Sequence, residues 1–437
     1  MSHPGELSIK VITFIISYIL NNPNTEFRIL LILAKTCKQL QYSISNVSSL
    51  DLSKLNYSFR HLLQLRQIML SDVNYDRSEM LLIHGSRMIL SITHNISSLN
   101  LSHSVDPFRL LNSSFRNLSQ LKNLDLSGII CTNKEISHVQ IAMIISSFTH
   151  LKTFKYNNNN PRLLRLCLQN LPNLEALYLS YVDIGKYGDI LSRAIGKLTG
   201  LTTLDLSSTL GSDYYCNKDM HNHGMKKILR ALPNSITTFI FSENTISYTR
   251  VRLNGKTIHK PLKTYEMKAV ADGLSRLTNL TKLSLSWTTI NTKFMRVLAP
   301  ALCSLTQLKI LHLDSIDSIY REGEGELFIL LASVIKVMTQ LEILTLERNY
   351  IETSITELCS AFKNLNKLQK LELKYTHFRS VSFSSIISVL PYMTSLTYLG
   401  LEMTSCNDMH IPLWDVLSNY TTLTRLNLSI NMIWQEY

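Results

Sequence analysis

The sequence predicts an α/β solenoid in which one strand–turn–helix–turn unit repeats along almost the whole chain. Three observations predict it. A frame of alternating apolar residues, at its clearest L-x-x-L-x-L-x-x-N-x-I, recurs about fourteen times. The last frames are spaced by 33, 27, 28 and 27 residues, room enough for a helix in each unit. Between frames, a second apolar stripe has helical spacing.

The clearest frame is Leu341 to Ile351, LEILTLERNYI. Leu344 and Leu346 alternate with polar neighbours, so they share one face of a short strand. Asn349 stands where the chain must turn out of the strand, and its amide can bond backbone groups that the turn leaves unpaired. Ile351 carries the apolar face around the corner. One such strand buries little by itself, but stacked copies bury a continuous core.

The other frames begin at Val47, in degenerate form, and at Leu65, Ile96, Leu121, Leu151, Leu174, Leu201, Ile236, Leu280, Leu308, Leu368, Leu396 and Leu423. Counting back three, six and ten positions from a frame finds apolar residues. Before Leu368 they are Leu365, Phe362 and Leu358; before Leu280, Leu277, Leu274 and Val270; before Leu121, Leu118, Phe115 and Leu111. Steps of three and four put them on one stripe of a helix. Strands joined by such crossovers lie parallel, with the helices outside.

On these residues, from 47 to 437, the chain resembles the leucine-rich-repeat family, and its 27–28-residue period resembles the ribonuclease-inhibitor-like class. The resemblance implies a horseshoe with a concave parallel sheet, convex helices and a binding role. It implies nothing about inhibiting a ribonuclease, because fold does not fix function.

Composition agrees. Hydrophobic residues are 45% of the chain, while 14 Gly and 10 Pro are too few for long linkers. The seven cysteines are dispersed and make no disulfide framework, which points to a reducing compartment, cytoplasm or nucleus. The net charge of +12 favours acidic partners. No compact basic stripe with stacking aromatics accompanies it, so nucleic acid is not expected.

Residues 1–45 do not repeat. Val11 to Leu20 (VITFIISYIL) is apolar but too short to span a bilayer, which takes about 20 residues, and no membrane association is expected. A second helix follows, to about Tyr42, with Thr25 placed to cap it. Glu6, Leu7, Val11, Ile12, Ile15, Tyr18 and Ile19, then Leu30, Leu31, Leu33, Cys37, Lys38 and Leu40, resemble an F-box. Gly5-Glu6-Leu7 replaces the usual Leu-Pro start, and Gln39-Leu40 stands where the family carries an aromatic. The resemblance implies docking on the small adaptor subunit of an SCF-type ubiquitin ligase through Leu7, Val11, Ile15, Ile19, Leu30 and Leu31. The alternative is a helical segment that only caps the open edge of the first repeat. At the other end, Trp434 and Tyr437 are placed to cover the last edge.

Two insertions break the period. The first, Thr209 to Gly224, holds Cys216, His221, His223, Asp213 and Asp219, but no standard zinc spacing, so it reads as a polar surface loop without metal. The second, within residues 247–264, alternates on both sides of Asn254-Gly255 and predicts a β-hairpin carrying Arg250, Arg252, Lys256, His259 and Lys260. Insertions of this kind are often used in binding.

The third, fifth and seventh positions of each frame face away from the core. Early frames place Asn100, Asp125, Ser127, Thr203, Asp205 and Ser207 there. Later ones place His312, Asp314, Thr345, Glu347, Lys370, Glu372, Lys374, Tyr398 and Glu402, with Tyr178 in between. Just past the strands come Tyr181, Trp287, Arg348 and Tyr375. Aromatic residues and arginine are the usual anchors of protein interfaces, so this C-terminal surface is the expected binding site for a protein target. No glycine-rich phosphate loop, H-E-x-x-H or G-x-S-x-G occurs. His312 and Asp314 lie two residues apart on one strand face, but neither a pocket nor a cofactor is implied, and no catalysis is expected. Two functions follow: a substrate-recognition adaptor of an SCF-type ligase, or a stand-alone repeat protein that binds its partner without any link to ubiquitin.

Overall fold

The computed structural model describes residues 49–51, 97–102, 118, 120–129, 138–157, 161–182, 188–209, 221–244, 248–253, 256–261, 264–316, 324–376, 380–402, 416, 418 and 420–428. The chain forms two compact units, Met1–Tyr178 and Leu179–Tyr437. Each unit is a stack of repeats with one parallel strand apiece.

In the first unit, strands β1 (Ser49–Asp51), β2 (Ser98–Asn100), β3 (Asn123–Leu126), β4 (Thr153–Tyr156) and β5 (Ala176–Tyr178) pair in parallel, in chain order. The frame at Leu65 lies outside the described residues, and β1 pairs directly with β2. Helix α1 (His138–Ser146) packs against α2 (Pro161–Leu168). The frame positions set the register: Leu99, Leu124, Phe154 and Leu177 are consecutive partners, and all are buried.

The second unit continues the pattern. Strands β6 (Thr203–Asp205), β7 (Thr238–Ile240), β10 (Lys282–Ser284), β11 (Ile310–His312), β12 (Ile343–Thr345), β13 (Lys370–Glu372), β14 (Tyr398–Gly400) and β15 (Arg425–Asn427) form one parallel ladder. The helices are α3 (Gly188–Ile195), α4 (His221–Ala231), α5 (Thr264–Ser275), α6 (Thr292–Cys303), α7 (Glu324–Ile335), α8 (Ile355–Phe362) and α9 (Ser380–Val389), each packed on the next. The inward residues Leu204, Phe239, Leu283, Leu311, Leu344, Leu371 and Leu399 stack in register and are wholly buried. Each such side chain stabilises by about 1.5–3 kcal/mol. The helical stripes read from the sequence, Val270–Leu274–Leu277 and Leu358–Phe362–Leu365, face this core.

Recurrent backbone bonds explain why the frame is so regular. The amide of the first leucine folds back on the residue three before it, as from Leu341 to Met338 (3.1 Å) and from Leu368 to Leu365 (3.0 Å). That bond closes the turn from helix to strand. The next two amides share one carbonyl of the preceding repeat: Glu342 and Ile343 both donate to Lys309 O. At the far end, Asn349 is buried as expected. Its amide donates to Leu313 O (2.8 Å) and Leu346 O (2.9 Å) and accepts from Ile316 N–H (2.9 Å). Asn244 does the same work three strands earlier in the ladder, between Thr209, Leu206 and Phe241.

The insertions stay out of the ladder. β7 pairs directly with β10, and the intervening β8 (Tyr248–Leu253) and β9 (Lys256–Pro261) make a separate antiparallel pair on either side of Asn254-Gly255. The first insertion differs from the polar loop read from the sequence at both ends. His221 to Gly224 already belong to α4, and Thr209 is buried, bonded to Leu206 and Asn244. The reason is helix packing: a Cβ on Gly188 would lie 2.0 Å from the Gly224 Cα, so two glycines let α3 and α4 meet backbone to backbone. Among the described residues, no helix is long and apolar enough to cross a membrane.

Candidate functional site

Each strand of the ladder offers its third, fifth and seventh side chains on the face opposite the helices. From β10 to β15 these side chains are bonded to one another. At the centre is Asp314. Ser286 Oγ and Thr345 Oγ1 each donate to its Oδ2 at 2.9 Å, and the Glu347 amide donates to Oδ1 at 2.9 Å. Thr345 has one proton and spends it on Asp314, so His312, whose Nδ1 lies 3.0 Å from Thr345 Oγ1, must be the donor there. This fixes the tautomer and leaves His312 Nε2 as an acceptor on the open face.

Burial pushes the His312 pKa below its ordinary value; Lys282 and Lys370 add to the fall, and Asp314 opposes it. In the unfolded chain the ring protonates as pH falls through 6.5, while the folded ring holds out to lower pH. The unfolded state then binds more protons, so stability drops as pH falls through the window below 6.5 and levels off below the folded value. The urea midpoint of wild type is expected to fall more steeply across that window than that of His312→Asn, whose amide can still donate to Thr345. Parallel slopes would contradict the buried neutral imidazole.

A second cluster lies on the next strands. Glu372 is on the open face but only 1% exposed, a burial that its outward frame position does not predict. Lys370 and Lys374 stand 3.3 and 3.7 Å from its carboxylate, and Lys374 reaches Glu402 at 3.7 Å. Gly400, its partner across β13 and β14, makes the burial possible: a Cβ there would lie 1.6 Å from Glu372 Oε1. Asn427 Nδ2 donates to Glu402 at 3.0 Å. Burial raises the Tyr398 pKa, and a hydrogen bond to Glu372 and that group's charge raise it further. Lys374 is pulled down by burial but ends above its ordinary value because Glu372, Tyr398 and Glu347 hold its charge. Glu347 is raised by burial, then by Asp314 and Glu372. A face with opposite charges already paired is suited to reading a complementary charged surface.

The edge beside this face has its own regularity. In the second unit the eighth frame residue is left-handed: Tyr181, Ser208, Glu243, Trp287, Ser315, Arg348 and Tyr375 have φ between 51° and 66°. Ladder bonds hold them there, as from Trp287 N–H to Asp314 O (2.6 Å) and from Arg348 N–H to Lys374 O (2.9 Å). Tyr181 and Trp287 are 59% and 51% exposed. The Arg348 guanidinium lies 4.3 Å from the Tyr375 ring centre and 5.7 Å from that of Trp287.

The structure therefore brings His312, Asp314, Glu347, Arg348, Glu372, Lys374, Tyr375, Tyr398 and Glu402 onto adjacent strands, with Trp287 at their edge. Tyr181 is tied to Glu243 at 3.4 Å instead. Tyr178 belongs to the first unit, where Lys155 lies 5.4 Å from its ring centre. The hairpin side chains of Arg250, Arg252, Lys256, His259 and Lys260 lie outside the described residues. So do Leu7, Val11, Ile15, Ile19, Leu30 and Leu31, Trp434 and Tyr437, and the side chains of Cys216, His221, His223, Asp213 and Asp219. Sequence reasoning missed Ser286 and Gly400. Both occupy outward frame positions, so the register places them, but only contacts across strands reveal their use.

No protein-family model matches this chain, and no curated protein sequence does. Among solved structures it is similar to an internalin (inlF) from Listeria monocytogenes str. 4b F2365. The match has 19% identity and a TM-score of 0.45, over 81% of this chain and 90% of that one.

Proposed function

We propose that this protein is a non-enzymatic scaffold that binds a protein partner on the sheet face between His312 and Glu402 and along the neighbouring edge. The observation that supports it best is the ordered polar lattice there. Ser286, Asp314, Thr345 and His312 form one bonded chain, and Glu372, Lys374 and Glu402 form another. Side chains held before a partner arrives lose little entropy on binding. The exposed Trp287 and Arg348 supply the residue types that carry most interface energy.

A photo-crosslinking residue placed at Glu347, on the sheet face, is expected to capture the partner. The same residue at Val337, exposed beside helix α7, is expected to give none. Equal capture at both positions would reject the sheet face as the site.

The finer reading is a substrate-recognition adaptor of an SCF-type ubiquitin ligase, whose own part would be to hold the target near transfer chemistry supplied by the ligase. It rests on the sequence of residues 1–45. Pull-down of the full chain against a deletion of those residues tests it. Recovery of the small adaptor subunit and its cullin with the full chain alone supports the adaptor. Their absence from both favours the stand-alone binding protein.

A further inference from the structure

We propose that Trp287, Arg348 and Tyr375 form a receptor for one carboxylate side chain, an Asp or Glu of the bound protein segment. This inference rests on the reading that the second unit binds a protein partner.

The eighth frame position is a costly place for these residues. A left-handed backbone is strained for an ordinary residue, and glycine would avoid most of that strain. Here it carries Trp, Arg and Tyr, and Ser315 where a large side chain would block Arg348 from reaching Trp287. Ser315 is buried and short, so the guanidinium extends over it and lies between two rings.

Stacking uses the faces of a guanidinium. Its N–H bonds lie in the plane and leave by the edge, so ring contact and a two-pronged bond to a carboxylate are compatible. The rings also keep water off the faces, which strengthens the edge interaction. Among the described residues, no acidic side chain pairs with Arg348, and neither the Trp287 indole N–H nor the Tyr375 hydroxyl has a hydrogen bond. The guanidinium and the indole are donors only. The cluster thus gathers donors around one positive charge, and its one side-chain acceptor oxygen is the uncharged Tyr375 hydroxyl.

The same edge shows the opposite arrangement at Glu243. There the acid is satisfied within the chain, by the hydroxyls of Tyr181 and Ser208. The acid is hydrogen-bonded at home and the cation is left open, so the missing group is an anion. The nearest lysine on the sheet face in the next frame, Lys374, is already held by Glu372 and Glu402. Among the described residues Arg348 is a cation without an acidic partner, and its single charge matches a singly charged carboxylate better than a doubly charged phosphate. The net charge of +12 draws acidic segments to the protein.

The test selects binders from a phage library of random dodecapeptides on the full chain. Enriched peptides are made again with each Asp or Glu changed to its amide. One such change is expected to weaken binding about tenfold or more in wild type and about twofold or less in Arg348→Gln. Arg348→Lys, which keeps the charge without the fork, should fall between them. Enriched peptides that need no acid, or that bind Arg348→Gln as well as wild type, overturn the receptor while leaving the binding scaffold standing. A phosphoserine at the same position that binds about tenfold tighter than the acid overturns the carboxylate assignment. Failure of any peptide to enrich overturns both the receptor and the scaffold.

Discussion

Leu346→Asp is expected to abolish the cooperative unfolding transition of the second unit. Leu346 is wholly buried at the sixth frame position, and its amide bonds the Glu372 carbonyl in the next strand at 2.9 Å. A carboxylate there has no partner and no water. Even after relaxation, burying such a charge costs several kcal/mol. That is comparable to the whole stability of an ordinary domain, about 5–15 kcal/mol. A stack of repeats is also held by its nearest-neighbour interfaces, and this residue sits in two of them. Circular dichroism in urea gives the answer. Leu346→Met, which keeps the volume, should lose less than about 1.5 kcal/mol. A Leu346→Asp chain that kept the wild-type midpoint would show that the frame does not point inward at this residue.

Asn349→Ala is expected to cost about 3 kcal/mol or more, the second largest effect. The side chain satisfies three buried backbone groups: the carbonyls of Leu313 and Leu346 and the amide of Ile316. Each group left without a partner costs about 1–3 kcal/mol. Asn349→Asp does little better, since it keeps an acceptor for Ile316 but loses both donors and buries a charge. A loss below about 1 kcal/mol would mean that water replaces the amide, and the turn would then owe little to the asparagine. The comparison with Leu346→Asp separates two jobs in one frame, filling the core and closing the turn.

Much of this architecture is legible from single residues. The outward and inward positions of the frame follow from the two-residue period of a strand, which is why Leu344 and Leu371 could be placed in the core and Thr345 and Glu372 on the open face. Asn349 could be assigned its role because its side chain carries both a donor and an acceptor for the backbone groups of a turn between two repeats. Tyr181, Trp287, Arg348 and Tyr375 stood out as large residues just past a strand. Their left-handed backbone could not be read, because nothing about Trp or Arg favours it. The ladder bonds to the next repeat impose it.

The sequence by itself determined the repeat: its register, the parallel order of the strands, the helical stripes and the hairpin strands on either side of Asn254-Gly255. These follow from local periodicity, which every residue carries in its polarity and its neighbours. Tertiary structure alone decided that Glu372 is buried, that Gly400 makes room for it and that His312 reaches Asp314 through Thr345. It also decided that Arg348 lies between Trp287 and Tyr375. Each of these depends on a side chain far away in the chain but near in space: about 30 residues and one strand, roughly 4.8 Å, in most cases, and two strands for Arg348 and Trp287. A linear pattern specifies which face a residue takes, and the stacking of repeats specifies what it meets there.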